Sequence, residues 1–168
     1  MELSRVCLAP NPMRLAAIAL GSNLPSPCGD RDANLREAIT RVARLGKVRA
    51  VSSFYDTAPV GYTDQPDFLN AALLLDTELD PLELMRALLA IERAMGRDRA
   101  IAPAKGPRII DLDLLLVDDA VLATPELTLP HPAMAKRSFV LEPLAEIAPA
   151  MVDPLTGLIV AELLGHVN

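Results

Sequence analysis

The chain is poor in several residue types that usually announce a function. Its 168 residues include no tryptophan, three phenylalanines, two tyrosines, two cysteines and two histidines. Cys7 and Cys28 have no metal-ligand spacing and cannot build a disulfide framework, so a reducing, cytoplasmic setting is expected. No apolar run is long enough to cross a bilayer, and no membrane partner is expected. Basic residues are also short, 16 against 22 acidic ones, for a net charge of −6. A general nucleic-acid binder needs a basic face, so nucleic acid is not an expected partner. By the same logic, an anionic substrate would require a local basic cluster. Residues 1–14 hold two prolines and two arginines without a continuous apolar core, and read as a loose extension rather than a signal peptide. What is present in quantity is apolar residues, 51% of the chain, which fits one compact domain over residues 15–168, expected to act as a monomer.

The apolar pattern divides that domain. Leu15–Leu20 reads as a strand ending in the turn residues Gly21-Ser22-Asn23. From Asp32, Leu35, Ile39, Val42 and Leu45 recur at helical spacing until Gly46. Val48–Thr57 and Phe68–Thr77 read as strands separated by a loop over Ala58–Pro66. Asp80-Pro81-Leu82-Glu83 is a helix start, followed by an apolar stripe of Leu84, Leu88, Ile91 and Met95. Ile109–Val117 is a further strand, and Asp118-Asp119 a turn into a short returning one. The order β-α-β-β-α-β predicts an α+β, ferredoxin-like antiparallel sheet with both helices on one face, followed by a loop-rich C-terminal extension containing short helices.

Chemistry concentrates in three places. In Gly106-Pro107-Arg108-Ile109-Ile110-Asp111-Leu112-Asp113-Leu114-Leu115-Leu116, strand alternation puts Asp111 and Asp113 on one face of an apolar strand. Their repulsion would be relieved by a hard cation such as Mg²⁺, which takes one or two carboxylates plus substrate phosphate oxygens, and Arg108 offers a planar fork for phosphate. A strand end with solvated acids explains the paired aspartates equally well when they are taken alone. The preceding loop carries Arg97, Arg99, Lys105 and Arg108 against the single acid Asp98, which supplies the basic cluster and reads as a mobile lid. A second segment, Leu129 to Phe139, sets His131 between prolines with Lys136 and Arg137 nearby, a further candidate phosphate group. In the third, Phe68 and Asn70 share a strand face, an aromatic ring and an amide suited to a flat, amide-rich heterocycle. A core phenylalanine and a turn asparagine are the plain alternative.

These segments resemble the 6-hydroxymethyl-7,8-dihydropterin pyrophosphokinase family of the folate pathway. The resemblance runs from about Ala17 to Gly157 and is most specific in GPRIIDLDLLL, with SSFYDTAPVG, DQPDFLNAA and LPHPAMAKRSFVLEPL beside it. It implies transfer of pyrophosphate from MgATP to the hydroxymethyl group of the pterin, with release of AMP. Asp111 and Asp113 would hold two Mg²⁺ ions, and Arg97 and Arg99 would be catalytic, closing over the phosphates. Arg108, His131 and Arg137 would face ATP phosphates, with Glu92, Leu114 and Thr128 also at the nucleotide, the last two through backbone atoms. The pterin would lie between Phe68 and Phe139, its edge met by Asn70, Thr57, Ala58 and Val60. The chain departs from the family pattern at Lys105 and Pro132, where relatives carry aromatics, at Phe68 in place of tyrosine, and at Glu126 in place of a basic residue. Two other functions remain compatible with the motifs: a two-metal nucleotidyl transferase, and a non-catalytic pterin- or nucleotide-binding domain.

Overall fold

A computed structural model of the chain describes residues 12–97 and 106–167. Most of the expected N-terminal extension, together with Arg99 and Lys105 of the basic loop, lies outside the described residues. Strand β1 (Arg14–Ser22) leads to helix α1 (Arg31–Val42), then β2 (Lys47–Val51), β3 (Tyr55–Thr57) and β4 (Phe68–Thr77). Helix α2 (Pro81–Ala94) and β5 (Asp111–Val117) complete the ferredoxin-like unit. A small hairpin, β6 (Leu122–Ala123) and β7 (Thr128–Leu129), precedes helices α3 (Ser138–Ile147) and α4 (Val160–Val167).

Both early helices begin where capping chemistry starts them. The Asp30 carboxylate accepts the Ala33 N–H at 2.9 Å, which opens α1 at Arg31, one residue before the apolar pattern suggested. Asp80 accepts the Glu83 N–H at 2.8 Å, and Pro81 occupies the first turn of α2. After α1 a short 3₁₀ turn (Ala43–Leu45) runs into Gly46, where an added Cβ would lie 2.0 Å from the Asp76 carbonyl oxygen. Only glycine permits the helix to be joined to the sheet this closely.

The sheet is antiparallel throughout, in the order β2-β4-β1-β5, with β3 also paired to β4. The predicted strand over Val48–Thr57 is therefore two strands. At the break the Ser52 N–H donates to the Ala72 carbonyl at 2.9 Å, while the Ser52 hydroxyl accepts the Ala72 N–H at 2.8 Å. The hydroxyl stands in for a ladder carbonyl and lets the chain bend.

Central strand β1 is buried on both faces, as its near-continuous apolar sequence requires. Ala16, Ile18 and Leu20 join Leu73, Leu75, Leu112 and Leu114 in the core beneath α1 and α2. On the other face Ala17, Ala72, Leu74, Leu115 and Leu116 pack with Val140, Leu141 and Leu144 of α3 and Val160 and Leu163 of α4. Fully burying each large aliphatic side chain contributes roughly 1.5–3 kcal/mol. The C-terminal extension thus supplies two helices that form a second core layer over the sheet.

Candidate active site

Beyond Leu15, the α3 face of β1 carries only small residues, Ala17, Ala19 and Gly21, at alternate positions. At the Gly21 end the space left by missing side chains opens into a cavity of about 360 Å³. Gly21 pairs with Asn70 of β4 on one side and with Asp111 of β5 on the other, so the amide and the carboxylate flank a bare floor on one sheet face. An added Cβ at Gly21 would lie 3.2 Å from Asn70 Oδ1 and 4.0 Å from Asp111 Cβ. Ala19 pairs with Asp113 in the same way, confirming that both aspartates face the cavity side.

Ten of the sequence-predicted residues meet here, and His131 is not among the lining. Thr57, Ala58, Val60, Phe68, Asn70 and Phe139 all line the cavity, as do Arg108, Asp111, Asp113 and Arg137. Asn70 is 7% exposed, and its Nδ2 donates to the Thr57 hydroxyl. The Arg108 guanidinium lies over the Phe68 ring at 5.3 Å and the Arg137 guanidinium over Phe139 at 5.7 Å. Each aromatic wall therefore carries a cation at its border, an arrangement suited to a flat ring whose substituent receives a polyphosphate.

Arg97 does not sit in an open lid. It is 8% exposed, and its Nη1 donates to Asp111 Oδ1 at 2.7 Å, the Ile110 carbonyl at 3.1 Å and Glu92 Oε2 at 3.3 Å. Arg97 Nε has no hydrogen-bond partner among the described residues. Glu92, 1% exposed on α2, also accepts the Leu112 N–H at 2.8 Å. Glu92 is placed beneath β5 and away from the cavity lining. Leu114 turns its side chain into the α1/α2 core, leaving its backbone in the ladder opposite Ile18. Thr128 is exposed on the β6–β7 hairpin, paired with Ala123. Glu126 forms an exposed ion pair with Arg86 at 2.9 Å.

His131 follows a cis Leu129–Pro130 bond. Its N–H donates to the Leu115 carbonyl at 2.9 Å, and its Nδ1 accepts the Ala133 N–H at 3.2 Å. Burial, then the nearby Arg137 charge, push the imidazole below the ordinary histidine range, against an opposing pull from Asp111. With Nδ1 accepting from Ala133, Nε2 is the ring nitrogen left to donate.

Lys136, noted in the sequence beside His131, lines the cavity with Arg137. Two residues escaped the sequence reading. Gly21 forms the floor; the small-residue alternation of β1 was the available signal. Asn23 links the two halves of the site: its Oδ1 accepts the Arg108 N–H at 2.8 Å, and its Nδ2 donates to Gln65 Oε1 at 2.9 Å and the Pro66 carbonyl at 3.0 Å. No local pattern foretells those contacts, which span 42 to 85 residues.

The metal expectation can be weighed on these donors. Among the described residues no group of three or more His, Cys, Asp or Glu side chains forms a protein cage. Two carboxylates on one sheet face, open to a cavity bordered by cations, fit Mg²⁺, which completes its shell with water and substrate phosphate.

The family model for 7,8-dihydro-6-hydroxymethylpterin-pyrophosphokinase (HPPK) matches residues 17–149. The chain belongs to this family. Its 2-amino-4-hydroxy-6-hydroxymethyldihydropteridine pyrophosphokinase relatives include one from Bacillus subtilis, 46% identical over 135 residues, covering 79% of this chain and 77% of the relative. The Pseudomonas aeruginosa protein of the same name is 45% identical over 139 residues and covers 82% of each. The chain spans only 19% of the folic acid synthesis protein fol1 of Schizosaccharomyces pombe, at 39% identity over 145 residues and 85% of this chain. Among solved structures, wild-type Plasmodium falciparum HPPK-DHPS matches with a TM-score of 0.69 at 15% identity, over 93% of this chain and 45% of that one. That likeness supports the HPPK fold.

Proposed function

We propose that this cavity transfers pyrophosphate from ATP to the hydroxymethyl group of 6-hydroxymethyl-7,8-dihydropterin, releasing AMP, in folate synthesis. The observation that carries the reading is the convergence of the aromatic–amide wall and the paired aspartates on one cavity, separated by the width of Gly21.

The pterin ring stacks between Phe68 and Phe139, and Asn70, positioned by Thr57, reads its polar edge together with groups of Ala58 and Val60. Arg108 and Arg137, each already over an aromatic wall, meet the phosphates where they approach the hydroxymethyl group. His131, whose Nδ1 is engaged by Ala133, offers Nε2 to the phosphates. Asp111 and Asp113 would hold two Mg²⁺ ions, which when bound supply neutralisation of the developing phosphate charge. The remaining barrier is lowered chiefly by alignment of hydroxyl and β-phosphorus and by exclusion of water. Arg99 is assigned to the phosphates on the resemblance alone, and Thr128 and the Leu114 backbone stand as outer nucleotide contacts, whereas Glu92, buried beneath β5, reaches the site through Arg97. We infer further that residues 15–168 act as one monomeric, cytoplasmic domain; both cores share a single sheet, and among the described residues no helix is long and apolar enough to cross a membrane.

Calorimetry on Asn70→Ala tests the assignment of the two half-sites. Loss of the buried amide should weaken pterin binding by about 1–3 kcal/mol while a non-hydrolysable ATP analogue binds as before. Equal losses for both ligands would mean that Asn70 holds the fold and does not read the pterin.

A further inference from the structure

The Asp111 carboxylate is already matched by cations. Arg97 donates to Oδ1 at 2.7 Å and Arg108 to Oδ2 at 3.2 Å. The two contacts differ in how they are anchored. Arg97 Nη1 carries two hydrogens but faces three acceptors, Asp111, Glu92 and the Ile110 carbonyl. Releasing Asp111 would leave both hydrogens satisfied by the other two, so Arg97 can let go without leaving its buried position. Glu92, fixed by the Leu112 N–H, holds it there. Arg108 is nearer the cavity. Its Nε donates to the Gly106 carbonyl at 3.1 Å, and its guanidinium rests on the Phe68 ring beside the space that phosphates would enter.

We infer that Arg97 and Arg108 stand on Asp111 as exchangeable counter-cations, with Glu92 as the positioning residue for Arg97, so that divalent-cation entry is coupled to departure of a guanidinium toward nucleotide phosphate. This rests on the reading of Asp111 as a metal ligand. A guanidinium on each carboxylate oxygen satisfies the acid in the free protein and competes with a cation for the same lone pairs. Phosphate offers Arg108 a new bidentate partner and the cation a further set of oxygens. Metal and nucleotide each relieve the obstacle to the other, and linkage makes that help reciprocal.

Mn²⁺ binding to the full-length protein, followed by the electron paramagnetic resonance of the free ion with and without α,β-methylene ATP, tests this. Wild type should bind Mn²⁺ weakly alone and far more tightly with the analogue. Arg108→Met should bind Mn²⁺ alone about tenfold more tightly, with a smaller gain from the analogue. Lys136→Met removes the same charge from the cavity lining and should leave Mn²⁺ affinity nearly unchanged. No tightening in Arg108→Met, or equal tightening in Lys136→Met, would overturn the exchange. If wild type with the analogue bound no Mn²⁺, the assignment of Asp111 itself would fall. Should Arg108→Met not fold, ¹⁵N resonances of the arginine Nε in wild type give the answer. Mg²⁺ with analogue should move the Arg108 signal, and an unmoved signal would overturn the proposal.

Discussion

Gly21 shows how one missing side chain defines a site. Its absence leaves the floor between Asn70 and Asp111 open, and a methyl there would press on the Asn70 amide at 3.2 Å. Gly21→Ala should weaken pterin affinity by about 1–3 kcal/mol with little loss of stability, because the cavity can accommodate the displaced amide. Calorimetry against pterin, set beside a thermal melt, checks both halves. Asp111→Asn keeps the shape of the side chain but removes the charge that Arg97 and Arg108 share; turnover should fall more than about 100-fold. Activity near wild type in that variant would remove the carboxylate from the mechanism. At this scale the sequence was informative where chemistry and spacing coincide, as in the paired aspartates and in Phe68 with Asn70. It did not foresee the burial of Arg97, which depends on Glu92 and the Ile110 carbonyl, contacts made only when α2 packs on β5.

Between elements, the principal clamp is Glu146 of α3. It accepts the Ser53 N–H at 2.5 Å and the Tyr55 hydroxyl at 2.9 Å, fastening α3, which carries Phe139, to the β2–β3 break and so to Thr57. The Ser53 hydrogen bonds hold the Glu146 carboxyl below the usual carboxylate range, with Tyr55 adding to them. A folded-state value below the unfolded one contributes stability that is present above the unfolded value and lost as pH falls through the folded one. Glu146→Gln should therefore lower stability modestly at neutral pH, the group being exposed, and flatten the acid limb of a stability-versus-pH curve below about pH 4.5, where the two proteins converge. Urea titrations across that range would show it; an unchanged acid limb would mean the clamp carries no charge-dependent stability. Helix starts and the aspartate strand were legible because caps and alternation are local. The break in the second predicted strand was not, since it depends on Ser52 meeting Ala72 and on Glu146 arriving from 93 residues away.

Across the molecule, the second core is what the sequence hid most. Its helices are short, and α3 contains Pro143, so their periodicity is weak until the apolar face of β1 and β4 is there to receive it. Leu144, fully buried against that face, tests the layer: Leu144→Ala should cost about 2–5 kcal/mol in chemical denaturation. A loss below about 1 kcal/mol would mean that α3 is not part of the folded core. This layer stops short of Gly21, which leaves a cavity at one end of the sheet with Phe139 at its border. The central claim is that this cavity joins pterin and ATP for pyrophosphoryl transfer, and product stoichiometry tests it most directly. With MgATP and 6-hydroxymethyl-7,8-dihydropterin, the purified protein should release one AMP for each pterin diphosphate formed, and little AMP when the pterin is left out. Formation of ADP with a pterin monophosphate, or AMP release that does not depend on the pterin, would contradict it.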